Sequence, residues 1–139
     1  MELTSNALQT VLVNQSVYFT DVPINGNCSI IHRQGSGLVA LKGLTNQCRA
    51  RYRISFGANA AVPTGETVGP VSLAIAIEGE AIPATTMTVT PAAVEEFFNV
   101  YSSIFIDVPR GCCNLISIRN ISNIPINVQN ANLIIERVA

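Results

Sequence analysis

The sequence has no tryptophan, a single histidine and few charges, with Asp, Glu, Lys and Arg together making only 12% of 139 residues. One histidine, His32, excludes a histidine-cluster metal site and a His–His acid/base pair, because either needs two imidazoles. The net charge of −1 leaves no clustered basic face for a phosphate backbone, so no nucleic-acid partner is expected. The apolar runs are strand length, well short of the roughly 20 residues of a membrane span, so no membrane partner is expected. No charged start followed by an apolar stretch stands at Met1, so no secretory signal peptide is read. Synthesis in a cytosol, with thiols initially reduced, is the corresponding expectation. Helix signals are scarce as well. Only "TPAAVEEFF", with Pro91 and two early glutamates, has a helix-like start, and a turn is its alternative.

What the chain has in quantity is apolar side chains, at 48%. Monomers rarely leave large apolar patches in water, so a chain this poor in charge is expected to have much of its surface covered by partners. Its length suits one domain with a substantial core, residues 1–139.

Hydrophobicity alternates with a period of two. In "CRARYRISFGANA" the set Ala50, Tyr52, Ile54, Phe56 falls on one face and Arg49, Arg51, Arg53, Ser55 on the other, which predicts a strand with one polar face. "PVSLAIAIEGEAI" groups Val71, Leu73, Ile75 and Ile77 opposite the small Ser72, Ala74 and Ala76. "TTMTVTP" alternates until Pro91. "EEFFNVYSSIFIDVP" is β-branched and aromatic, and Pro109-Arg110-Gly111 then predicts a turn. "CNLISIRN", "IPINVQN" and "ANLIIERVA" read as three short strands separated by Asn-rich turns. Toward the N-terminus "LQTVLV", "SVYFTDV", "CSIIHR" and "GLVALKG" are further strands, broken at Asn14-Gln15, "PINGN" and "QGSG". About ten short strands at regular spacing predict an all-β antiparallel sandwich or barrel.

Candidate chemistry thins out on inspection. His32 reads as a strand or interface residue. Cys28, Cys48, Cys112 and Cys113 have no C-x-x-C spacing for zinc or redox work. Consecutive strand residues point to opposite faces, so Cys112 and Cys113 are expected to diverge. Buried thiol is the preferred reading for most of the four, and a Cys28–Cys48 bridge is the alternative. Glu95 and Glu96 diverge in the same way and read as a solvated edge rather than an acid/base pair. "HRQGSG" lacks the phosphate-loop pattern and reads as a hairpin turn. Arg49, Arg51 and Arg53 admit two readings: ordinary solvation, or interface charges around a symmetry axis paired with Glu66, Glu78 or Glu80. The triplets at Asn14, Asn27 and Asn120 match the glycosylation pattern by chance in an Asn/Ser-rich chain. No catalytic constellation, metal site or cofactor site is expected, and the chain does not read as an enzyme.

Three stretches resemble tumour-necrosis-factor-like jelly rolls, most closely the short versions in phage head-fibre or decoration proteins and at the tips of bacterial collagen-like surface proteins. "RYRISFGANAAVPTGETVGPVSLAIAIEGEAI" is similar to two long antiparallel strands joined by a variable loop. "FNVYSSIFIDVPRGCCNLISIRN" is similar to a long strand, a tight turn and the next strand. "PINVQNANLIIERVA" is similar to the closing hairpin, whose last strand in that family lies near the three-fold axis. The resemblance implies a homotrimer with Tyr52, Ile54, Leu133, Ile135, Arg51 and Arg53 as interface candidates. In the last strand, one of the sets Leu133/Ile135 and Ile134/Glu136 would face the core and the other a neighbour. Residues 1–20 would form a first strand or an anchoring arm. The implied role is structural: a virion-surface protein of a phage or prophage, made in the host cytoplasm, with capsid or fibre proteins as partners. A carbohydrate- or receptor-binding module is the alternative, with Tyr18, Tyr52 and Tyr101 as the tyrosines available to stack on a glycan.

Overall fold

The computed structural model describes residues 1–24, 28–32 and 35–139. Twelve strands run in order as β1 (Glu2–Ser5), β2 (Gln9–Val11), β3 (Asp21–Ile24), β4 (Ile30–His32), β5 (Val39–Lys42), β6 (Arg49–Ala61), β7 (Val71–Ile77), β8 (Glu80–Ala81), β9 (Met87–Val89), β10 (Phe98–Pro109), β11 (Cys113–Asn120) and β12 (Ile126–Arg137). They form two six-stranded sheets. The first has the order β10-β6-β12-β1-β3, with β2 also on β12; the second has β4-β5-β11-β7-β8, with β9 also on β7. All strand pairings are antiparallel.

The alternation read from the sequence sets the inner faces. Ala50, Tyr52, Ile54 and Phe56 of β6 meet Val71, Leu73 and Ile75 of β7 and Ile116 and Ile118 of β11 in one hydrophobic core. Phe19 stands edge-on to Phe56, with ring centroids 6.3 Å apart. Tyr52 is the one core aromatic with a polar tip, and its hydroxyl donates to the Lys42 carbonyl at 2.6 Å. That bond ties β6 to β5 across the sandwich and removes the cost of burying the hydroxyl.

Several expectations are refined. "SVYFTDV" is a strand only from Asp21; before it, Ser16 makes an isolated bridge to Arg119 and Val17 N–H donates to the Ile118 carbonyl at 2.9 Å. "TPAAVEEFF" forms turns and bends rather than a helix, and among the described residues the one helical turn is a 3-10 segment at Pro83–Thr85. "IPINVQN" and "ANLIIERVA" are not two strands but one, β12, whose register shifts between Gln129 and Asn132. Asn130 sits there at φ 55°, the left-handed conformation asparagine tolerates best among non-glycine residues. The Asn-rich stretch is therefore a bulge, which uses the same chemistry as a turn without reversing the chain.

The turn at Pro109-Arg110-Gly111-Cys112 is as expected: Cys112 N–H donates to the Pro109 carbonyl at 3.0 Å, and Gly111 has φ 78°. Gly43 packs against this turn, donating to the Cys112 carbonyl at 2.8 Å. A Cβ at Gly43 would lie 2.1 Å from the Pro109 carbonyl oxygen, so no other residue fits there.

At the other end of β11, Asn120 is fully buried. Its Nδ2 donates to the Val11 and Ile124 carbonyls, each at 3.0 Å, and its Oδ1 accepts from Ser122 N–H at 2.9 Å. One side chain thus satisfies three backbone groups, one at the end of β2 and two in the β11–β12 loop. Asn120→Ala should cost about 2–4 kcal/mol, because those groups stay buried without partners; urea unfolding of the variant checks this. The burial also removes Asn120 from any modification that needs an exposed side chain. Asn27, the second triplet, lies outside the described residues, as do Arg33 and Gln34 of "HRQGSG".

Candidate functional site

The outward face of the first sheet forms a regular grid. Register puts Tyr101 of β10 opposite Gly57 of β6, Ser103 opposite Ser55, Phe105 opposite Arg53, and Asp107 opposite Arg51. On the other side of β6, Asn132, Ile134 and Glu136 of β12 stand opposite Gly57, Ser55 and Arg53. Ile134 is the partner of Glu2 in β1, and Glu2 the partner of Ile24 in β3.

Most charges on this face are used up within it. Arg51 donates from Nε to Asp107 Oδ1 at 2.8 Å and from Nη2 to Oδ2 at 3.2 Å, and Arg49 Nε lies 3.0 Å from Asp107 Oδ2. The Arg51 hydrogen bond, followed by the charges of Arg51 and Arg49, holds the Asp107 carboxyl below its ordinary value. Arg53 Nη1 donates to Glu136 Oε1 at 3.3 Å, and Asn132 Nδ2 to Glu2 Oε2 at 2.9 Å. Within the chain these arginines pair with Asp107 and Glu136; Glu66, Glu78 and Glu80 lie off this sheet. Glu78 instead accepts from Leu115 N–H at 2.8 Å.

The apolar side chains here have no such cover. Tyr101 and Phe105 are each 61% exposed, Ile24 61% and Ile134 42%. Tyr101 lies across Gly57, where a Cβ would sit 3.5 Å from its ring. Hydrogen bonding with Ser55, then Ser103 and Arg53, lowers its hydroxyl pKa. Tyr101, Ile134, Arg53, Asn132 and Glu136 surround a hollow of about 190 Å³. A second hollow, of about 230 Å³, opens between Ile24, Ile134 and Met1.

The residues singled out from the sequence divide between the two faces. Arg51 and Arg53 are on the outward grid. Tyr52, Ile54, Leu133 and Ile135 have no exposed surface and lie in the core. This corrects their assignment to a subunit interface, since a side chain already buried has no area left to bury against a neighbour. In β12 it is Ile134 and Glu136 that face outward. Of the exposed apolar residues on this face, the sequence singles out Tyr101 only as a tyrosine available for glycan stacking, and Phe105 and Ile24 not at all. The β-branched and aromatic run of β10 signals a strand, but which face is covered depends on the other sheet.

The other candidates also fall into place. All four cysteines are free and exposed, which corrects the buried-thiol reading and the Cys28–Cys48 alternative. Cys112 belongs to the turn, so the alternation argument does not reach it. His32 Nε2 lies 2.8 Å from the Ser36 carbonyl oxygen. Glu95 Oε1 accepts from Asn127 Nδ2 at 2.9 Å and Thr64 N–H at 3.1 Å, clamping a loop to β12 rather than forming a pair with Glu96. Of the three tyrosines considered for glycan stacking, Tyr52 is buried, while Tyr18 and Tyr101 are exposed.

Solved structures with this arrangement include the globular domain of zebrafish complement 1qA, with a TM-score of 0.72 over 99% of this chain and 95% of that one, at 13% identity. The fold is a TNF-like jelly roll. The Eiger TNF of S. frugiperda superposes with a TM-score of 0.69 over 100% of this chain and 92% of that one, at 9% identity. Murine APRIL does so at 0.58 over 95% and 96%, at 12% identity. No protein-family model matches the sequence, and no curated protein is a significant match. The jelly roll is thus shared at the level of architecture, with the side chains on its outward faces free to differ.

Proposed function

We propose that this chain is a non-catalytic assembly protein that trimerises through the outward face of its first sheet and decorates or projects from a phage particle. The observation that carries the assembly is the band of exposed Tyr101, Phe105, Ile134 and Ile24 on a face whose charges are mostly paired internally. Such a face loses little by dehydration and gains by burial of its apolar side chains. A second copy suits it because the same surface supplies both aromatic edges and aliphatic hollows, so a rotational ring can close on itself. Arg51 and Arg53 would lie among the apolar residues already paired to Asp107 and Glu136, setting register more than affinity. The virion setting is supported by the likeness of three long stretches of sequence to short phage and bacterial jelly rolls. Capsid or fibre proteins would be its attachment partners.

Sedimentation equilibrium at micromolar concentration tests the assembly, with a trimer expected. A monomer would overturn it. Mass spectrometry of purified particles from the host tests the setting, with the chain expected in the particle fraction.

A second reading has one observation in its favour. Tyr101 beside Arg53, Asn132 and Glu136 resembles a shallow stacking site for a glycan. A monomer that leaves Tyr101 open would favour it, and a trimer that covers Tyr101 would exclude it there.

A further inference from the structure

The outward face of the first sheet differs from one margin to the other. At the β10 margin Phe105 is 61% exposed and has no polar atom for water to hydrate. Tyr101 on the same strand is equally exposed, but its hydroxyl bonds to Ser55 and its ring lies over Gly57, so it is tied to its own sheet. Toward the opposite margin lies the hollow of about 230 Å³, lined by Met1, Glu2, Ile24, Ile134, Ile135 and Glu136. Its two carboxylates are already engaged, Glu2 by Asn132 and Glu136 by Arg53. The remaining wall is aliphatic. An apolar cavity of about 150 Å³ takes up a benzene ring, so a phenyl side chain matches this hollow in size and in chemistry.

Phe105 cannot fill the hollow of its own chain. β10 and β3 are the two ends of the path β10-β6-β12-β1-β3, four strand spacings or roughly 19 Å apart. The two features nevertheless stand at one level along the strands. Register carries Phe105 through Arg53 to Glu136, on the hollow. The neighbouring outward row runs from Ser103 through Ser55, Ile134 and Glu2 to Ile24, on the same hollow. A rotation axis parallel to the strands turns one copy into the next without sliding it along them. Such an axis brings one margin of a copy to the other margin of its neighbour at matching height.

We propose that Phe105 of each copy seats in the Met1–Ile24–Ile134 hollow of the next, as the anchor of a head-to-tail contact. The contact rests on the trimer proposed for this face and names what joins its copies. Knob and hollow occupy opposite margins, so every copy uses each of them once, and none is left over when the ring closes. The phenyl ring leaves water for an aliphatic wall, and Ile24, itself 61% exposed, is covered by the same step. An aromatic anchor in a pocket is where binding energy concentrates in an interface. The paired charges around it then serve as a rim.

The test is a double-mutant cycle on association, read by sedimentation equilibrium of the full chain. Phe105→Ala shaves the knob, and Ile24→Trp fills the hollow. Both positions are exposed, so urea midpoints should stay near the parent's and confirm that each variant folds. Each change alone should weaken the trimer at least about tenfold. The double variant should be no weaker than the worse single one, because a filled hollow costs nothing once the knob is gone. Independent effects would instead multiply, to about a hundredfold or more. In a trimeric parent, multiplying effects, or a Phe105→Ala chain that associates as tightly as the parent, would overturn this contact and leave the trimer standing. A monomeric parent would overturn both.

Discussion

Ile135→Asp should yield no folded protein. Ile135 is fully buried in the core, and its backbone N–H donates to the Met1 carbonyl at 2.9 Å, where the first and last strands meet. Removing the aliphatic side chain alone costs about 2–5 kcal/mol. A carboxylate in its place adds several kcal/mol of desolvation, or the cost of holding it protonated at neutral pH. Total stability of a domain is about 5–15 kcal/mol, so the sum is enough to remove the native state. Loss of near-ultraviolet circular dichroism and of a cooperative urea transition would report it. A cooperative transition within about 1 kcal/mol of the parent would show that residue 135 is not in the core.

Ile134→Asp, one residue away, should do the opposite: keep the fold and abolish the trimer. Ile134 faces outward beside Ser55 and Glu2, so a carboxylate there remains hydrated in the single chain. Proximity to Glu2 and Glu136 should cost less than about 1 kcal/mol at an exposed site. In the trimer the same carboxylate would be desolvated at the docking face in every copy. Association should weaken by at least about a hundredfold, or about 2.7 kcal/mol. Sedimentation equilibrium of a variant with an unchanged urea midpoint separates the two effects. A trimer as tight as the parent's would move the interface off this face.

The two variants also show how far the sequence could be read. Alternation in β6 separated Tyr52 and Ile54 from Arg51 and Arg53 correctly, because one face is apolar and the other charged. In β12 both sets contain isoleucine, so composition could not say whether Leu133 and Ile135 or Ile134 faced the core. Only the opposing sheet decides that. The bulge at Asn130 was hidden for a related reason: asparagine in a left-handed conformation serves a turn and a bulge equally well. The cysteines misled because cysteine is usually buried, whereas Cys28, Cys48 and Cys112 lie outside the strands and all four thiols are exposed. The exposed apolar band draws on β10, β12 and β3 together, a convergence across more than a hundred residues that no local pattern carries.

The place of β12 has a consequence for how the chain is made. It follows the other eleven described strands in chain order, yet it lies between β6 and β1, pairing Glu2 with Ile134. Until β12 leaves the ribosome, β1 and β6 each present an unpaired edge toward the missing strand, and the hydrophobic side chains beneath it remain wet. Such edges template pairing with other chains, and closing so long a loop slows folding. At about 5–20 residues per second, the nascent chain spends several seconds with its sheet divided. Emergence of β12 from the ribosome, rather than of any earlier segment, is then the event that commits the first sheet to closing.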